Sequence, residues 1–255
     1  MSAPTPNQQT EPGIHLAEIM AALSVATDLG MGQPLEFALQ SCVLAMRLAE
    51  KLNFSGPELR AVYHQALLRY IGCNAETRLL AAIFGDALAL RTDIIHADTA
   101  SPEFLNIALR FIRSANEGAP PIQMLQALVS GLADAAQISK EFFSGHCEVV
   151  QRLAERLGFE ANTVRAMSQV YARWDGKGIP SLKAEAIAPG MLAVSLAQDA
   201  VYQHRLNGPE AAVAMARKRK GGRAGTVSRP GGRAPVGHCV GARTRAAQIS
   251  GRGRI

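Results

Sequence analysis

Seven residues concentrate the chemistry of this chain. They are Trp174-Asp-Gly-Lys-Gly-Ile-Pro180, in which a carboxylate and an ammonium alternate with two glycines ahead of a proline. Gly176 and Gly178 can take positive φ and Pro180 stiffens the exit, so the stretch predicts an ordered loop that ends a helix. Asp175 and Lys177 in such a loop can meet a ligand or a partner. The plainer alternative is a tight helix-to-helix turn with solvated charges.

The elements that must hold this loop are helical. Ala and Leu dominate, aromatic residues are 5% of the chain, and no segment alternates with period two long enough for a strand, which predicts an all-α fold. Apolar positions return at helical spacing from Ile14 to Leu29 and stop at Gly30 to Gly32. Pro34 suits a first helical turn, and Leu35, Leu39, Cys42, Met46 and Ala49 predict an amphipathic helix up to Asn53. Pro57-Glu58 opens the next helix, toward Gly72, and the pair forms a hairpin. Further helices are expected over Arg78 to Phe84, Ala87 to His96, and from a Ser101 cap to Arg113. After a loop at Glu117 to Pro121 the pattern resumes at Ile122, with a break near Gly131 and a fresh start around Ser144-Gly-His146. Asn162 caps a helix running through Tyr171 into the loop, and a last helix from Met191 to His204 precedes Asn207-Gly208-Pro209 and a restart at Glu210.

Charge divides the chain unevenly. The tail from Arg217 to Ile255 holds eleven of the 27 Lys and Arg and none of the 21 acids, leaving 16 basic against 21 acidic residues before it. The expected organisation is a disordered N-terminus over 1–13, a helical domain over 14–217, and a disordered basic Arg/Gly-rich tail over 218–255. The tail has two readings. One is a nucleic-acid-binding arm with salt-sensitive affinity. The other is a change of reading frame near Lys220, where a helical pattern stops mid-course. Cys42, Cys73, Cys147 and Cys239 are scattered without a CxxC pair, which predicts reduced thiols in a cytoplasm. No run reaches membrane-spanning length and the N-terminus is polar, so no membrane partner is expected.

One internal similarity stands out. Ser41-Cys-Val-Leu-Ala-Met-Arg-Leu-Ala-Glu-Lys-Leu-Asn-Phe54 matches His146-Cys-Glu-Val-Val-Gln-Arg-Leu-Ala-Glu-Arg-Leu-Gly-Phe159 without a gap, and Arg60-Ala61 then matches Arg165-Ala166. A duplicated hairpin or convergence on a common amphipathic pattern explains it equally well.

Taken together, the loop and its flanking helices resemble the HD-GYP branch of the HD-domain phosphohydrolase family. That family carries His-His-Glu-Arg-Trp-Asp-Gly-x-Gly-Tyr-Pro, a lone upstream His, a Leu-Leu-His-Asp-Ile-Gly stretch and a later Leu-Ala-Asp. Here Arg173-Trp-Asp-Gly-Lys-Gly-Ile-Pro180 fits the loop, and His146 stands 28 residues before Trp174. Leu196-Ala-Gln-Asp-Ala200 and Ala66-Leu-Leu-Arg-Tyr-Ile-Gly72 fit the other two. The resemblance covers roughly Gly32 to Arg217 and implies an HD-domain-like helical bundle. It also implies hydrolysis of cyclic di-GMP or a related phosphodiester by clustered metal ions, which polarise the phosphoryl group and activate a water.

Carried over residue by residue, the ligand set is replaced. The first His falls on Phe37, the His-Asp pair on Arg69-Tyr70, the His-His pair on Val170-Tyr171 and the last Asp on Gln198, beside Asp199; only His146 keeps its identity. A guanidinium at Arg69 opposes a divalent cation, and one imidazole cannot hold a multinuclear centre. The expectation is therefore a degenerate domain with no catalytic residues, no metal and no cofactor. It would be a regulatory module in bacterial signalling with a protein partner, a nucleotide or a cyclic dinucleotide. Arg69, His146, Arg173, Asp175, Gly176, Lys177 and Gly178 are the candidate ligand-binding residues; Arg suits phosphate recognition. The alternatives are an active metal-dependent phosphodiesterase and nucleic-acid binding through the tail. The resemblance also implies that longer relatives of this kind carry a second, metal-competent region and a LuxR-type DNA-binding end. The plain structural alternative is that Arg69 pairs with a buried carboxylate and His146 sits in a first helical turn.

Overall fold

A computed structural model describes residues 15–74, 81, 86–94 and 102–218. The N-terminal stretch, most of the expected helix at Arg78 to Phe84, His96, the Ser101 cap and the tail from Arg219 lie outside the described residues. The described chain is helical, with two isolated bridges and no strand among the described residues. The elements are α1 (Leu16–Gly30), α2 (Phe37–Lys51), α3 (Gly56–Leu68), a 3-10 turn (Ile71–Asn74), α4 (Ala87–Ile94), α5 (Pro102–Ala115), α6 (Pro121–Arg156), α7 (Ala161–Met167), a second 3-10 turn (Ala184–Ala186) and α8 (Pro189–Lys218). Among the described residues no helix is long and apolar enough to cross a membrane.

The core is built on α2, α3 and α8, onto which the C-terminal part of α6 and α7 close. Ala45, Ala49, Ala66 and Ala197 are buried where these helices cross, with Val62, Val150, Met167, Met191 and Leu196 filling the space around them. Small side chains at a crossing let helix axes approach toward the short end of the usual 8–10 Å range. Ser55 and Glu58 start α3 with a capping box and Pro57 in its first turn. These are the signals the sequence carries.

The two matching sequence segments follow the same course. Asn53 (φ 56) and Gly158 (φ 73) are left-handed, and the next residues, Phe54 and Phe159, donate back to the Ala49 and Ala154 carbonyls at 3.1 Å. Each segment is thus a helix closed by a Schellman turn and followed by a second helix. The rings of His64 and Phe159 stack at 4.2 Å and 11°, joining one hairpin to the other.

Three expected boundaries are corrected. First, the helix expected from Pro34 begins at Phe37. Glu36 is left-handed (φ 65), and the buried Asp28 carboxylate accepts the Ala38 N–H at 3.1 Å, so a residue of α1 caps α2 from a distance. Second, neither Gly131 nor Ser144-Gly-His146 interrupts α6, which runs unbroken for 36 residues. An isolated glycine costs a helix only about 1 kcal/mol, and anchoring at Phe143, Cys147, Val150 and Ala154 outweighs it. Third, the helix expected through Tyr171 ends at Met167, with Glu160 rather than Asn162 at its N-cap. The expected interruption at Gly208 is present, at φ 85 and ψ 176 within α8.

Asp28 makes this fold pH-sensitive. Burial pushes its carboxyl up to about 6 from 3.8, against the pull of the Ala38 and Phe37 amides and of Arg205. The folded chain therefore holds this proton more tightly than the unfolded chain. The contribution of Asp28 is most favourable below about pH 4 and is lost as pH rises through about 6. The loss amounts to about 3 kcal/mol. Urea unfolding of the native chain and of D28N at pH 4 and pH 7 should show their stability difference moving by about that amount in favour of the variant at pH 7. A pH-independent difference would contradict this assignment.

Candidate functional site

The end of α3 lies against the middle of α6 because the residue between them has no side chain. A Cβ on Gly72 would stand 2.5 Å from the carbonyl oxygen of His146. This close approach requires glycine. His146 is fully buried, with its Nε2 2.6 Å from the Arg69 carbonyl oxygen and its Nδ1 3.1 Å from the Tyr171 hydroxyl. A carbonyl only accepts, so Nε2 carries the proton and Nδ1 accepts from Tyr171 in the neutral ring. Its two nitrogens thereby join α6 to the end of α3 and to the loop after α7. His146 sits mid-helix, not in a first turn, because α6 is continuous.

Arg69 reaches across to α8. Its Nη1 donates to the Ser195 hydroxyl at 2.9 Å and approaches the Met191 sulfur at 3.6 Å, while Cζ lies 5.7 Å from the Tyr70 ring centroid. Its Nε–H is buried with no hydrogen-bond partner among the described residues. Among the described residues the guanidinium's partners are a hydroxyl and a thioether rather than the carboxylate considered above, since α8 presents Met191 and Ser195 at this level. A buried charged donor left unmade costs about 1–3 kcal/mol or more. Gln65, one turn before Arg69, and Gln198 each bury a side-chain oxygen without a partner, which makes the α3–α8 seam polar among the described residues. Sequence reading did not single out Gln65 or Ser195, and it named Tyr171 as a replaced ligand position, not as a partner of His146. The usable signal was the four-residue step from Gln65 to Arg69 on an otherwise apolar face.

The loop is closed on itself. Arg173, itself buried, donates through Nε at 2.9 Å and Nη2 at 2.5 Å to the two Asp175 oxygens, and the Lys177 N–H adds a bond to Oδ1 at 3.0 Å. Gly176 is left-handed (φ 77), and a Cβ on Gly178 would lie 2.3 Å from the Tyr171 carbonyl, so both glycines are required by the turn. Ile179 donates to that carbonyl at 3.1 Å, and the Ile179–Pro180 peptide is cis. Trp174 packs on the main core, and Lys177 is exposed. Of the seven candidate residues, Arg69 and His146 meet directly. Arg173, Asp175, Gly176, Lys177 and Gly178 form the loop, joined to that pair through Tyr171.

Positions assigned by resemblance converge in space. Phe37 lies 6.4 Å from Tyr70, ring to ring; the Arg69 guanidinium lies over the Tyr70 ring; His146 bonds the Arg69 carbonyl; Tyr171 bonds His146. The chemistry of this set does not fit a metal ion. Among the described residues no three His, Cys, Asp or Glu come together as ligands. Both nitrogens of His146 are used, and a guanidinium stands alongside. Divalent ions of this kind take neutral imidazole and anionic oxygen, not a protonated donor.

The Asp175 carboxyl is held down at about 2, chiefly by the hydrogen bond from Arg173 and further by the Lys177 amide, although burial opposes this. Its contribution to stability is complete above about pH 4 and is lost as pH falls through about 2. Carboxyl-carbon NMR should give a midpoint near 2 for Asp175, rising toward 4 in R173A. An unchanged midpoint would show that Arg173 does not set it.

No protein-family profile matches the chain. A 3'3'-cGAMP-specific phosphodiesterase 3 of Vibrio cholerae is 25% identical over 174 residues, which are 68% of this chain and 37% of that protein. The chain thus spans little more than a third of the curated relative it matches. The crystal structure of a cyclic GMP-AMP-specific phosphodiesterase of the same organism, V-cGAP3, superposes with a TM-score of 0.57 at 21% identity, covering 82% of this chain and 45% of that one. The superposition shows a shared fold. The sequence similarity supports a relationship to the HD-domain phosphohydrolases.

Proposed function

We propose that this chain is a catalytically degenerate HD-GYP-like domain serving as a regulatory, ligand-sensing or interaction module in bacterial cytoplasmic signalling. The observation that carries this reading is Arg69: a buried guanidinium, with one N–H unpartnered among the described residues, beside an imidazole whose nitrogens are both engaged. A cation of this kind is suited to an anionic oxygen and opposed to a metal ion. A relative that acts on 3'3'-cGAMP supports a cyclic dinucleotide as the ligand class, bound here without hydrolysis. Arg69 would meet its phosphate. The loop of Arg173, Asp175, Gly176, Lys177 and Gly178 supplies the exposed Lys177 nearby in the chain. Asp175 and the glycines hold the loop's shape.

The same similarity favours a second reading, metal-dependent hydrolysis of a cyclic dinucleotide. Nucleic-acid binding through the tail is a third, placed outside the described residues, and a steep salt dependence abolished by truncation after Arg217 would reveal it.

Titration calorimetry with 3'3'-cGAMP and cyclic di-GMP, run with a hydrolysis assay and elemental analysis, separates the readings. The expected result is binding without turnover and without stoichiometric metal. R69Q should weaken binding about tenfold to a hundredfold, as expected for loss of a charge-assisted hydrogen bond of about 1.5–3 kcal/mol. Stoichiometric iron or manganese accompanied by turnover would overturn the proposal, and so would the absence of binding by any cyclic dinucleotide together with the absence of a protein partner.

A further inference from the structure

We infer that the N-terminal half of α6 is a self-association surface that pairs antiparallel with the same segment of a second copy of this chain. The helix is 36 residues long, and among its described side chains the buried ones that anchor it, Phe143, His146, Cys147, Val150 and Ala154, lie in its C-terminal half. Leu125 is about 27 Å along the axis from Phe143 at the usual helical rise. In that remote half Ile122, Leu125 and Val129 are 67%, 61% and 60% exposed. Steps of three and four residues put them on one face. The opposite face, carrying Met124, Ala127 and Leu128, is half buried, so the exposed stripe is a second apolar surface on the same helix. Exposed apolar side chains that line up on one face, rather than standing singly, mark an interaction site.

Two features select a second copy as the occupant. The sequence from Pro121 through Ala133 contains no charged residue, so the face has nothing to choose a partner of opposite charge, a nucleic acid or an anionic surface. Depletion of charge with retention of Leu, Ile and Val is the composition of the centre of a protein–protein contact. The stripe also reads almost alike in both directions, with a step of three then four one way and four then three the other. Two copies related by a two-fold axis near Leu125 and Gln126 would set Ile122 of one against Val129 of the second, and Leu125 against its own counterpart. Such a contact is isologous, buries both stripes at once and closes on itself. This inference does not depend on the ligand reading, since its surface lies away from Arg69 and His146 along the helix.

Sedimentation velocity of the full chain over a wide concentration range tests it. A dimer is expected, and Leu125→Glu should weaken the dimer at least about a hundredfold, a loss of about 2.7 kcal/mol, while leaving the melting temperature unchanged at concentrations low enough that the native chain is also monomeric, because the side chain is exposed in the monomer. Gln126→Cys, oxidised mildly, should yield a disulfide-linked dimer on a non-reducing gel in excess of that from the native chain. A chain that stays monomeric throughout would overturn the inference, whether the stripe is covered by another part of the chain or left open. A dimer that withstands both Leu125→Glu and Val129→Lys would overturn it too, because its interface would then lie elsewhere.

Discussion

The two hydrogen bonds of His146 hold together the region on which the functional reading rests. One goes to the main-chain carbonyl of Arg69, the other comes from the Tyr171 hydroxyl, and the ring itself has no exposure. Because the acceptor is backbone, the bond fixes where α3 ends without depending on the Arg69 side chain, which is free to point toward α8. Because the donor is Tyr171, the same ring sets the start of the glycine loop. Gly72 makes this possible by letting the main chain approach α6 at a distance a Cβ would forbid.

Charge is handled in opposite ways on the two sides of this tie. At the loop, Asp175 is matched by the Arg173 fork and a main-chain amide, so its ionised form is strongly favoured. At the end of α1, Asp28 is buried against the start of α2, and the amides it caps do not offset the lost hydration. Arg69 is the third case, a cation met among the described residues by a hydroxyl, a sulfur and an aromatic face rather than by an anion. Buried cations are ordinarily paired, so this arrangement is costly for the fold alone and is where a bound anion would contribute most. Burial pushes the Cys42 and Cys147 thiols up to about 12 and about 11, the second against the pull of Arg69 and of the Val170 and Tyr171 amides, and both behave as apolar core atoms.

Much of this was legible in the sequence where the signal is local. The capping box at Ser55 and Glu58, the Gly208 interruption and the glycine turn around Asp175 each depend on residues a few positions apart. The repeated Arg-Leu-Ala-Glu segment, which the sequence left open between duplication and convergence, follows the same helix–turn course twice. What escaped was set by distant partners. Nothing near Pro34 announces that Asp28 will capture the Ala38 amide and delay α2. Gly145 reads as a breaker, yet the residues around it are anchored by the core, and tertiary packing overrides a weak local preference. At the site, several positions aligned by resemblance are neighbours, Phe37 beside Tyr70 and His146 between Arg69 and Tyr171. The resemblance did not foretell that Tyr171 would take the imidazole's second nitrogen, or that Arg69 would find Ser195 instead of a carboxylate.

The central claim is that an imidazole engaged twice by the protein, beside a guanidinium, stands where a cation would have to be gripped. Nitrogen-15 NMR of the His146 ring, recorded before and after addition of zinc, addresses it most directly. The account predicts a neutral ring protonated at Nε2, with both nitrogen resonances unmoved by the metal. Loss of the Nε2 proton with a metal-induced shift of either nitrogen would contradict it.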